Sequence, residues 1–539
     1  MYEKYGKVAG SDAIKSAVHL LHAKAESEGN IINVSLRIAR SDSCTFSYDL
    51  TDGKWRSVRI DKTGWKIMYE GAVLFTRYNQ TPQVEPTHRY DSNVIDQLFR
   101  LINLPDKNDQ LLVKVHLISL FVPDIPHPIL NVHGDKGSAK TVFLTLVKMI
   151  VDPSRPVLLT IPKDRNEFNQ QISHNYFSVY DNVKFTPDWL SDEACRAVTG
   201  GGNTKRKLYT DDEDFVYEYK HALSFTGINV SLREPDALDR SILIELARIP
   251  KSRRRLESEI YSEFEKIRPA LLGYIFDILF KAIGIIGEIK LHDLPRMADF
   301  TLWGEAIARA MGYKEMEFVD AYFANIGRQN IEAIESHPLG QAIAKLVDSW
   351  EPEVSEQEYS TRELLDMLET IALENKISSN HTSWPKGLNA LTRRLNQIKS
   401  NLLEGLEIEV TVSRSTAGGK KANTAVIRIR KMSPVSPTPP ASKNHERNIL
   451  DFLGDTEPSS TKISPVSNDD SHPQNARIGE TGGNGDICES KGVGRTESFQ
   501  CPYCNHQTQS YEDLEGHSVR LHPGRPFAED FRNPSTKDS

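Results

Sequence analysis

The chain has 539 residues, which is longer than a single hydrophobic core usually organises, so several domains are expected. Charged residues make up 26% of it and hydrophobic residues 38%, an ordinary composition for a soluble protein. The formal net charge of −8 excludes nucleic-acid binding through overall charge, so such a role would need local basic patches.

The sequence predicts a reducing compartment and no membrane association. The first residues, MYEKYGKVAGSDAIKSAV, lack the apolar segment of a secretory signal. The most apolar stretch, residues 271–287, is interrupted by Asp277 and Lys281, which favours a buried helix over a membrane span. Five cysteines in so long a chain argue against a disulfide scaffold. We therefore expect a cytoplasmic or nuclear protein.

Changes of pattern along the chain divide it into segments. Residues 1–88 begin with a helical stretch and become β-rich, and INVSLRIAR alternates apolar residues from Ile32 to Ile38 on one face of a predicted strand. Residues 89–250 alternate helical and strand-like runs, as in an α/β layer fold. Residues 251–337 are mainly helical, and residues 338–432 carry helices followed by two strand-like runs.

The remaining residues fall into three parts. Proline, serine, glycine and asparagine dominate residues 433–498, which have too few apolar residues for a core and are expected to form a disordered linker. A compact Cys/His unit at 499–524 and a tail at 525–539 follow.

The string HGDKGSAKT, residues 133–141, is similar to a phosphate-binding loop of the pattern G-x-x-x-x-G-K-[ST]. Lys140 would reach the β- and γ-phosphates of ATP and Thr141 would hold Mg²⁺. Ala139 replaces the usual last glycine, and we expect it to begin the helix, where alanine fits well. The alternative is a strand–turn–helix connection with an incidental lysine. The expected nucleotide-binding residues are Gly134, Asp135, Lys136, Gly137, Ser138, Ala139, Lys140 and Thr141.

A second strand-like run, YFSVYDN, ends about forty residues later at Asp181, as a Walker B strand does. Its carboxylate would hold Mg²⁺ directly or through water. The next residue is Asn182, where a glutamate usually activates the attacking water. An amide orients water but accepts no proton as a base. The sequence therefore predicts ATP binding and leaves hydrolysis open.

Two further segments carry candidate catalytic residues. The run HALSFTGIN ends near Thr226, whose hydroxyl would contact the γ-phosphate or the attacking water; the alternative is a buried threonine bonded back to the chain. In REPDALDRSILIEL, Arg240 or Arg233 would act on a neighbouring subunit as an arginine finger. The alternative is a salt bridge of Arg240 with Asp236 or Asp239.

The order of these motifs, with RAVTGGGNTKRKLYTDDEDF before the strand-like run HALSFTGIN, resembles the AAA+ ATPase core. It is more closely similar to the helicase part of phage and poxvirus-type primase–helicases, to superfamily 3 helicases and to largely uncharacterised prokaryotic and phage ATP-binding proteins. The resemblance covers residues 90–250 and, loosely, 30–430. GDKGSAKT is also similar to the alanine-containing loops of the minichromosome-maintenance helicases.

The resemblance implies an assembly and a DNA contact. Helicases of this type are usually ring oligomers, often hexamers, with nucleotide between subunits and a hairpin that faces DNA in the pore. Here Lys205, Arg206 and Lys207 would contact backbone phosphates, and the alternative is a solvated charged turn. A prokaryotic, archaeal or mobile-element origin, as in these relatives, would place the protein in the cytoplasm.

Residues 338–432 resemble a winged helix. STRELLDMLETIAL starts with a capping box at Ser360, and the next helical pattern carries Arg393 and Arg394. The string GGKK marks the turn of a hairpin and supplies Lys420 and Lys421. The second helix would enter a DNA groove and the two lysines would touch phosphates from the wing. The alternative is a winged helix that binds protein.

The final unit has the spacing C-x₂-C-x₁₂-H-x₄-H of a two-Cys, two-His zinc finger. Its ligands to a structural Zn²⁺ would be Cys501, Cys504, His517 and His522. The finger's helix carries Glu512, Asp513 and Glu515, which a phosphate-lined groove would repel. We therefore expect this finger to dock a protein partner rather than read DNA.

These features predict a multidomain α/β protein with an AAA+-like P-loop core, an N-terminal β-rich domain, a C-terminal winged helix, a disordered linker and a zinc finger. The leading functional hypothesis is an ATP-dependent DNA helicase or translocase of replication or mobile-element type, acting on single-stranded or forked DNA as a ring. The alternative is an ATP-binding, weakly hydrolysing DNA-binding regulator or scaffold, and a third is a degenerate relative that binds no ATP. Residues 1–88 show no convincing cluster of primase carboxylates.

Overall fold

The computed structural model of the chain describes residue 6 and residues 10–29, 34–42, 44–69, 73–200, 203–206, 214–217, 220–381, 383–414, 425–432, 499–500 and 507–508. It divides into two units, Met1–Glu457 and Pro458–Ser539, which are described separately.

The first unit begins with a helix and a small antiparallel sheet. Helix α1 (Ser11–Glu28) is followed by β1 (Val34–Ser35), β2 (Ile38–Asp42), β3 (Thr45–Asp49), β4 (Ser57–Asp61), β5 (Gly64–Met68) and β6 (Leu74–Phe75). Strands β2 to β5 pair in chain order, because short turns connect each strand to the next. Strands β1 and β6 form a separate parallel pair.

The next part of the chain alternates helices and strands. Its elements are α2 (Val94–Leu101), α3 (Lys107–Ser119), β7 (Ile129–His133), α4 (Lys140–Val151), α5 (Arg165–Ser173), β8 (Phe177–Tyr180), α6 (Asp188–Thr199), β9 (Asn203–Arg206), β10 (Asp214–Tyr217), β11 (Ala222–Thr226), α7 (Pro235–Leu238) and β12 (Ser241–Glu245).

Four of these strands form a parallel sheet in the order β12-β7-β11-β8. Its strand residues are almost all buried, as expected where helices cover both faces of a parallel sheet. Parallel strands place their carboxyl ends at one edge, where ligands of such sheets bind. The ends of β7, β8 and β11, and with them the candidate residues that follow, therefore meet at one edge.

Three long helices come next: α8 (Glu257–Ile285), α9 (Ala298–Ala310) and α10 (Glu317–Ser336). The span Glu257–Glu288 is long and apolar enough to cross a membrane, with a mean hydropathy of 1.8, but half of its apolar window is buried inside the protein. Asp277 in this span accepts a hydrogen bond from Nε1 of Trp65 at 2.9 Å. These contacts are those of a core helix.

The antiparallel sheet and the long helices share one hydrophobic core. The ring of Phe46 on β3 lies 5.7 Å from that of Trp303 on α9, and Trp65 on β5 lies 5.7 Å from Phe276 on α8. The same cluster of buried side chains continues to the parallel sheet. Within the described residues, β2 to β5 therefore have no separate core.

A buried ionic cluster also connects the two sheets. Nε of Arg37 lies 3.1 Å from Asp152, whose other carboxylate oxygen accepts from Lys148 at 2.8 Å, and these side chains are at most 1% exposed. Asp152 directly follows α4. Arg37 has a φ of 52°, and this left-handed residue lies between β1 and β2. The single strand predicted from Ile32 to Ile38 is therefore wrong, because the backbone turns at Arg37.

The last part of the first unit has its own hydrophobic cluster. Its elements are α11 (Pro338–Asp348), β13 (Glu356–Ser360), α12 (Thr361–Glu374), α13 (Leu388–Leu406), β14 (Ile408–Arg414) and β15 (Ala425–Lys431). Strand β15 lies between β13 and β14 and is antiparallel to both. The capping box is present: the N–H of Glu363 donates to Oγ of Ser360 at 3.2 Å.

In the second unit, two short strands are described. Strand β16 (Phe499–Gln500) pairs antiparallel with β17 (Gln507–Thr508), with Phe499 opposite Thr508.

Candidate nucleotide site

The candidate loop, residues 134–141, runs from the end of β7 into the first turn of α4. Gly134 has a φ of 138°, and a Cβ there would lie 2.3 Å from the carbonyl oxygen of Leu246, so the position requires glycine. Its N–H donates to the carbonyl oxygen of Ile228 at 3.1 Å. Gly134 thereby joins the loop to the segments that follow β11 and β12.

Ala139 does not begin the helix. It precedes α4 as the N-cap residue, with φ 64° and ψ 29°, in the left-handed region. That conformation costs an L-residue other than glycine roughly 1–2 kcal/mol. The expectation of a helical alanine is therefore wrong, because the backbone turns left-handed before the first helical residue, Lys140. The glycine of the usual pattern would avoid a strain that this chain retains.

Lys140 folds over the loop. Its Nζ donates to the carbonyl oxygens of Gly134 at 2.7 Å and Asp135 at 2.9 Å, and to Oγ of Ser138 at 3.2 Å. Partial burial lowers the pKa of Lys140, and the negative charges of Asp181 and Asp135 oppose that shift. The ammonium group is thus held by three oxygen atoms of the loop.

The side chains of Thr141, Asp181 and Thr226 form a chain of hydrogen bonds at the edge of the sheet. The hydroxyl of Thr141 lies 3.1 Å from each carboxylate oxygen of Asp181. The hydroxyl of Thr226, which is buried, donates to the same carboxylate at 2.5 Å. Three residues far apart in the sequence therefore meet around one carboxylate.

Asn182 follows Asp181 with a φ of 56°, a conformation that asparagine tolerates better than most residues. Its N–H donates to the hydroxyl of Thr226 at 2.8 Å, so the backbone is fixed while the amide side chain is exposed. A cavity of about 370 Å³ opens beside it, lined by residues 158–161 and 181–185. The amide therefore lies at a surface that water can reach.

The two candidate arginine fingers have different surroundings. Arg240 is buried, and its guanidinium lies 2.5 Å from the carboxylate of Asp236 and 2.7 Å from the Asp236 carbonyl oxygen. This is the salt bridge that the sequence left as the alternative. The side chain of Arg233 is 45% exposed, and its nearest carboxylate, Glu332, lies 3.8 Å away. Arg233 is thus the more available of the two.

The predicted DNA-contacting segment contains the β9–β10 hairpin, in which Lys205 pairs with Phe215 and Arg206 with Asp214. The side chains of these strands and the whole of Lys207 lie outside the described residues.

In the C-terminal part of this unit, Arg393 is exposed on α13, and Arg394 donates to Oε1 of Gln397 at 3.0 Å. The other end of α13 packs on α10, where Asn401 donates to Asn330 at 2.9 Å. Lys420 and Lys421 lie outside the described residues.

The predicted zinc ligands Cys501, Cys504, His517 and His522 also lie outside the described residues. Within the described part of the chain, no cluster of three or more His, Cys, Asp or Glu side chains could hold a metal ion.

Sequence reasoning missed a segment that contacts the loop. Residues 247–256, here called the basic segment, lead from β12 to α8, and Ile249 donates its N–H to the carbonyl oxygen of Gly137 at 3.1 Å. Nη2 of Arg254 lies beside the same glycine. The signal was present in the three consecutive arginines at 253–255, but only the fold brings them to the loop.

Residues 95–330 match the family model described as the actinomycete integrative conjugative element (AICE) replication protein. Residues 339–443 match the model of the AICE RepA C-terminal domain. No curated protein matches the sequence significantly.

Two solved structures show a distant likeness. The A form apo structure of the NrS-1 C-terminal region is 12% identical, with 70% of this chain and 96% of that chain covered and a TM-score of 0.32. A JCV helicase with a bound small molecule is 14% identical, and the match covers 44% of this chain and 65% of that chain with a TM-score of 0.24. TM-scores this low do not establish a shared fold. Over residues 95–330 and 339–443, the chain is similar to the replication proteins of actinomycete integrative conjugative elements.

Proposed function

We propose that the protein is an ATP-dependent DNA helicase or translocase that acts in the replication of a mobile element. The family match over residues 95–330 supports the role in replication. The observation that carries the dependence on ATP is the contact between Thr141 and Asp181. The hydroxyl lies 3.1 Å from both carboxylate oxygens, at the end of a loop that is similar to the phosphate-binding pattern.

The oxygen atoms of Thr141 and Asp181 are the kind of ligand that Mg²⁺ prefers, and they already lie side by side. These two residues would hold the ion together with the nucleotide. Mg²⁺ would neutralise negative charge on the β- and γ-phosphates. Lys140 would donate to phosphate oxygens in place of its present loop partners.

The other candidate residues would position the carboxylate of Asp181, orient the attacking water and contact the nucleotide of a neighbouring subunit. Thr226 holds the carboxylate of Asp181 in place through its hydrogen bond. The exposed amide of Asn182 would orient the attacking water. Arg233, rather than the buried Arg240, would reach the nucleotide of a neighbouring subunit, which requires the ring, hexameric in the related helicases, that the AAA+ resemblance implies.

DNA binding is proposed for two parts of the first unit. The β9–β10 hairpin would present Lys205, Arg206 and Lys207 to backbone phosphates. The element order α11-β13-α12-α13-β14-β15 supports the proposal of a winged helix in this part of the chain. Because the end of α13 packs on α10, its first half, with Arg393 and Arg394, would face DNA. Lys420 and Lys421 in the β14–β15 connection would act as the wing.

The remaining proposals rest on sequence. Cys501, Cys504, His517 and His522 would hold a structural Zn²⁺ in a finger that docks a protein partner. The family match favours a bacterial mobile element and thus a cytoplasmic location.

One observation favours a second function. Asn182 offers no general base, so the protein could bind ATP to control assembly and leave DNA binding to the winged helix. Steady-state ATPase activity, measured with and without single-stranded DNA, separates the two. The helicase proposal expects DNA-stimulated turnover that Lys140→Ala abolishes. Tight ATP binding without DNA-stimulated turnover in the wild type, together with turnover in the Asn182→Glu variant, would establish an ATP-binding regulator instead.

A further inference from the structure

The basic segment brings several cations to the side of the candidate loop. In it the side chains of Arg248, Lys251, Arg253, Arg254 and Arg255 are all exposed. Two backbone contacts hold this part of the chain in place: Leu246 donates to the carbonyl oxygen of His133 at 2.8 Å and Ile249 to that of Gly137 at 3.1 Å. The segment is therefore attached to the carboxyl end of β7 and to the loop that follows it.

Arg254 is the member of this segment that contacts the loop. A Cβ on Gly137 would lie 3.0 Å from Nη2 of Arg254, so the guanidinium occupies the space that a side chain at 137 would fill. Gly137 also has a φ of 80°, which glycine adopts without strain. Glycine at position 137 thus allows both the left-handed backbone of the loop and the close approach of the Arg254 guanidinium.

The charge of Arg254 is not neutralised by a carboxylate in the described part of the chain. Its Nε donates to the carbonyl oxygen of Ile249 at 3.4 Å, a long contact. Its neighbour Arg255 differs, because its guanidinium lies 2.5 Å from the carboxylate of Glu263. A guanidinium with unused donors beside a phosphate-binding loop is suited to bind phosphate oxygens in a two-pronged contact.

We propose that Arg254 is a second cationic ligand for the phosphates of the nucleotide, supplied by the same chain as Lys140. This inference rests on the proposed function, because it needs a nucleotide on the loop. It assigns to Arg254 alone the task of closing the side of the phosphate site that faces Gly137.

The test is calorimetric titration of the full-length protein with ATP and Mg²⁺. A charged hydrogen bond contributes about 1.5–3 kcal/mol, so Arg254→Ala should weaken binding roughly 10- to 100-fold. The dissociation constant of Arg254→Lys should lie between those of the wild type and Arg254→Ala, because lysine keeps the charge but lacks the paired N–H donors of the guanidinium. The matched control is Arg253→Ala, an exposed neighbour in the same segment, which should change the dissociation constant less than about twofold.

The outcomes separate this inference from the proposed function. If Lys140→Ala abolishes binding and Arg254→Ala binds like the wild type, the assignment of Arg254 is overturned and the nucleotide site stands. If the wild type binds no ATP, the assignment of Arg254 and the proposed ATP-dependent function are both overturned. Thermal unfolding of each variant checks that it is folded. If Arg254→Ala does not fold, Arg254→Gln replaces it, and the same loss of ATP affinity is expected.

Discussion

The hydroxyl of Thr226 donates a 2.5 Å hydrogen bond to the carboxylate of Asp181, which joins the ends of two neighbouring strands. A hydroxyl can donate only one hydrogen bond, and here its acceptor is the carboxylate of Asp181. The same oxygen accepts the N–H of Asn182. In this structure Thr226 therefore positions the residues beside it rather than pointing a free donor at a phosphate.

Replacing Thr226 with valine should impair turnover more than nucleotide binding. Valine leaves the N–H of Asn182 without its acceptor and releases the carboxylate of Asp181, at a cost in stability of about 1–3 kcal/mol. We expect kcat for ATP hydrolysis to fall at least about tenfold with a smaller change in KM. Thr226→Ser keeps the hydroxyl and should retain most activity. Wild-type kcat in the valine variant would contradict the positioning role.

Replacing Ala139 with glycine should stabilise the protein. The left-handed backbone at this residue costs an alanine roughly 1–2 kcal/mol, and the extra freedom of glycine in the unfolded chain cancels about 0.4–1 kcal/mol of the gain. We expect a net gain of about 0.5–1 kcal/mol in the free energy of unfolding by urea titration. A control is Ala282→Gly inside α8, which should destabilise by at least about 1 kcal/mol, because the helix loses its best former and the core loses a buried methyl group. A loss of stability in Ala139→Gly would show that the loop turns differently.

The two arginines that follow β11, Arg233 and Arg240, should respond differently to substitution. Arg240→Ala removes a buried contact to Asp236 and should lower stability by about 1–3 kcal/mol. Arg233→Ala removes an exposed, long ion pair and should change stability by less than about 0.5 kcal/mol, while it lowers ATP turnover in the assembled protein.

Mixing variants tests whether Arg233 acts between subunits. Chains with Arg233→Ala keep an intact loop, and chains with Lys140→Ala keep an intact arginine, so a mixed ring contains some complete sites. Turnover of the mixture should exceed the sum of the separate variants. A mixture that is no more active than this sum would exclude the role between subunits.

Acid should destabilise the protein through its buried histidines. Burial lowers the pKa of His116 to about 4, and its Nε2–H donates to the carbonyl oxygen of Pro128. The unfolded chain takes up a proton near pH 6.5 while the folded chain does not, so stability is complete above pH 6.5 and declines as the pH falls toward 4. His116→Gln should reduce the slope of unfolding free energy against pH by up to about 1.4 kcal/mol per pH unit in this range.

The measurement is urea unfolding at several pH values between 7 and 4.5. His127 and His221 are also buried with lowered pKa values, so the variant should retain part of the dependence on pH. An unchanged slope in His116→Gln would contradict a neutral His116 in the folded protein.

Local sequence patterns predicted one strand of the candidate site and one helix start elsewhere in the first unit. The strand that ends one residue before Asp181 and the capping box at Ser360 have strong local signals and appear in the structure. The left-handed turns at Arg37 and Ala139 have none, because neither residue type favours that backbone. The contact of Arg254 with Gly137 joins residues more than a hundred positions apart, so no spacing rule could show it.

The core that β2 to β5 share with α8 and α9 affects how the protein can be divided. A chain that begins at residue 89 would lack the strands that cover Phe276 and Trp303, and exposure of each large side chain costs about 2–3 kcal/mol. Such a fragment should aggregate or unfold even though it keeps every candidate nucleotide residue. Exchange of the β-rich segment between relatives would likewise succeed only if the facing surfaces of α8 and α9 were exchanged with it.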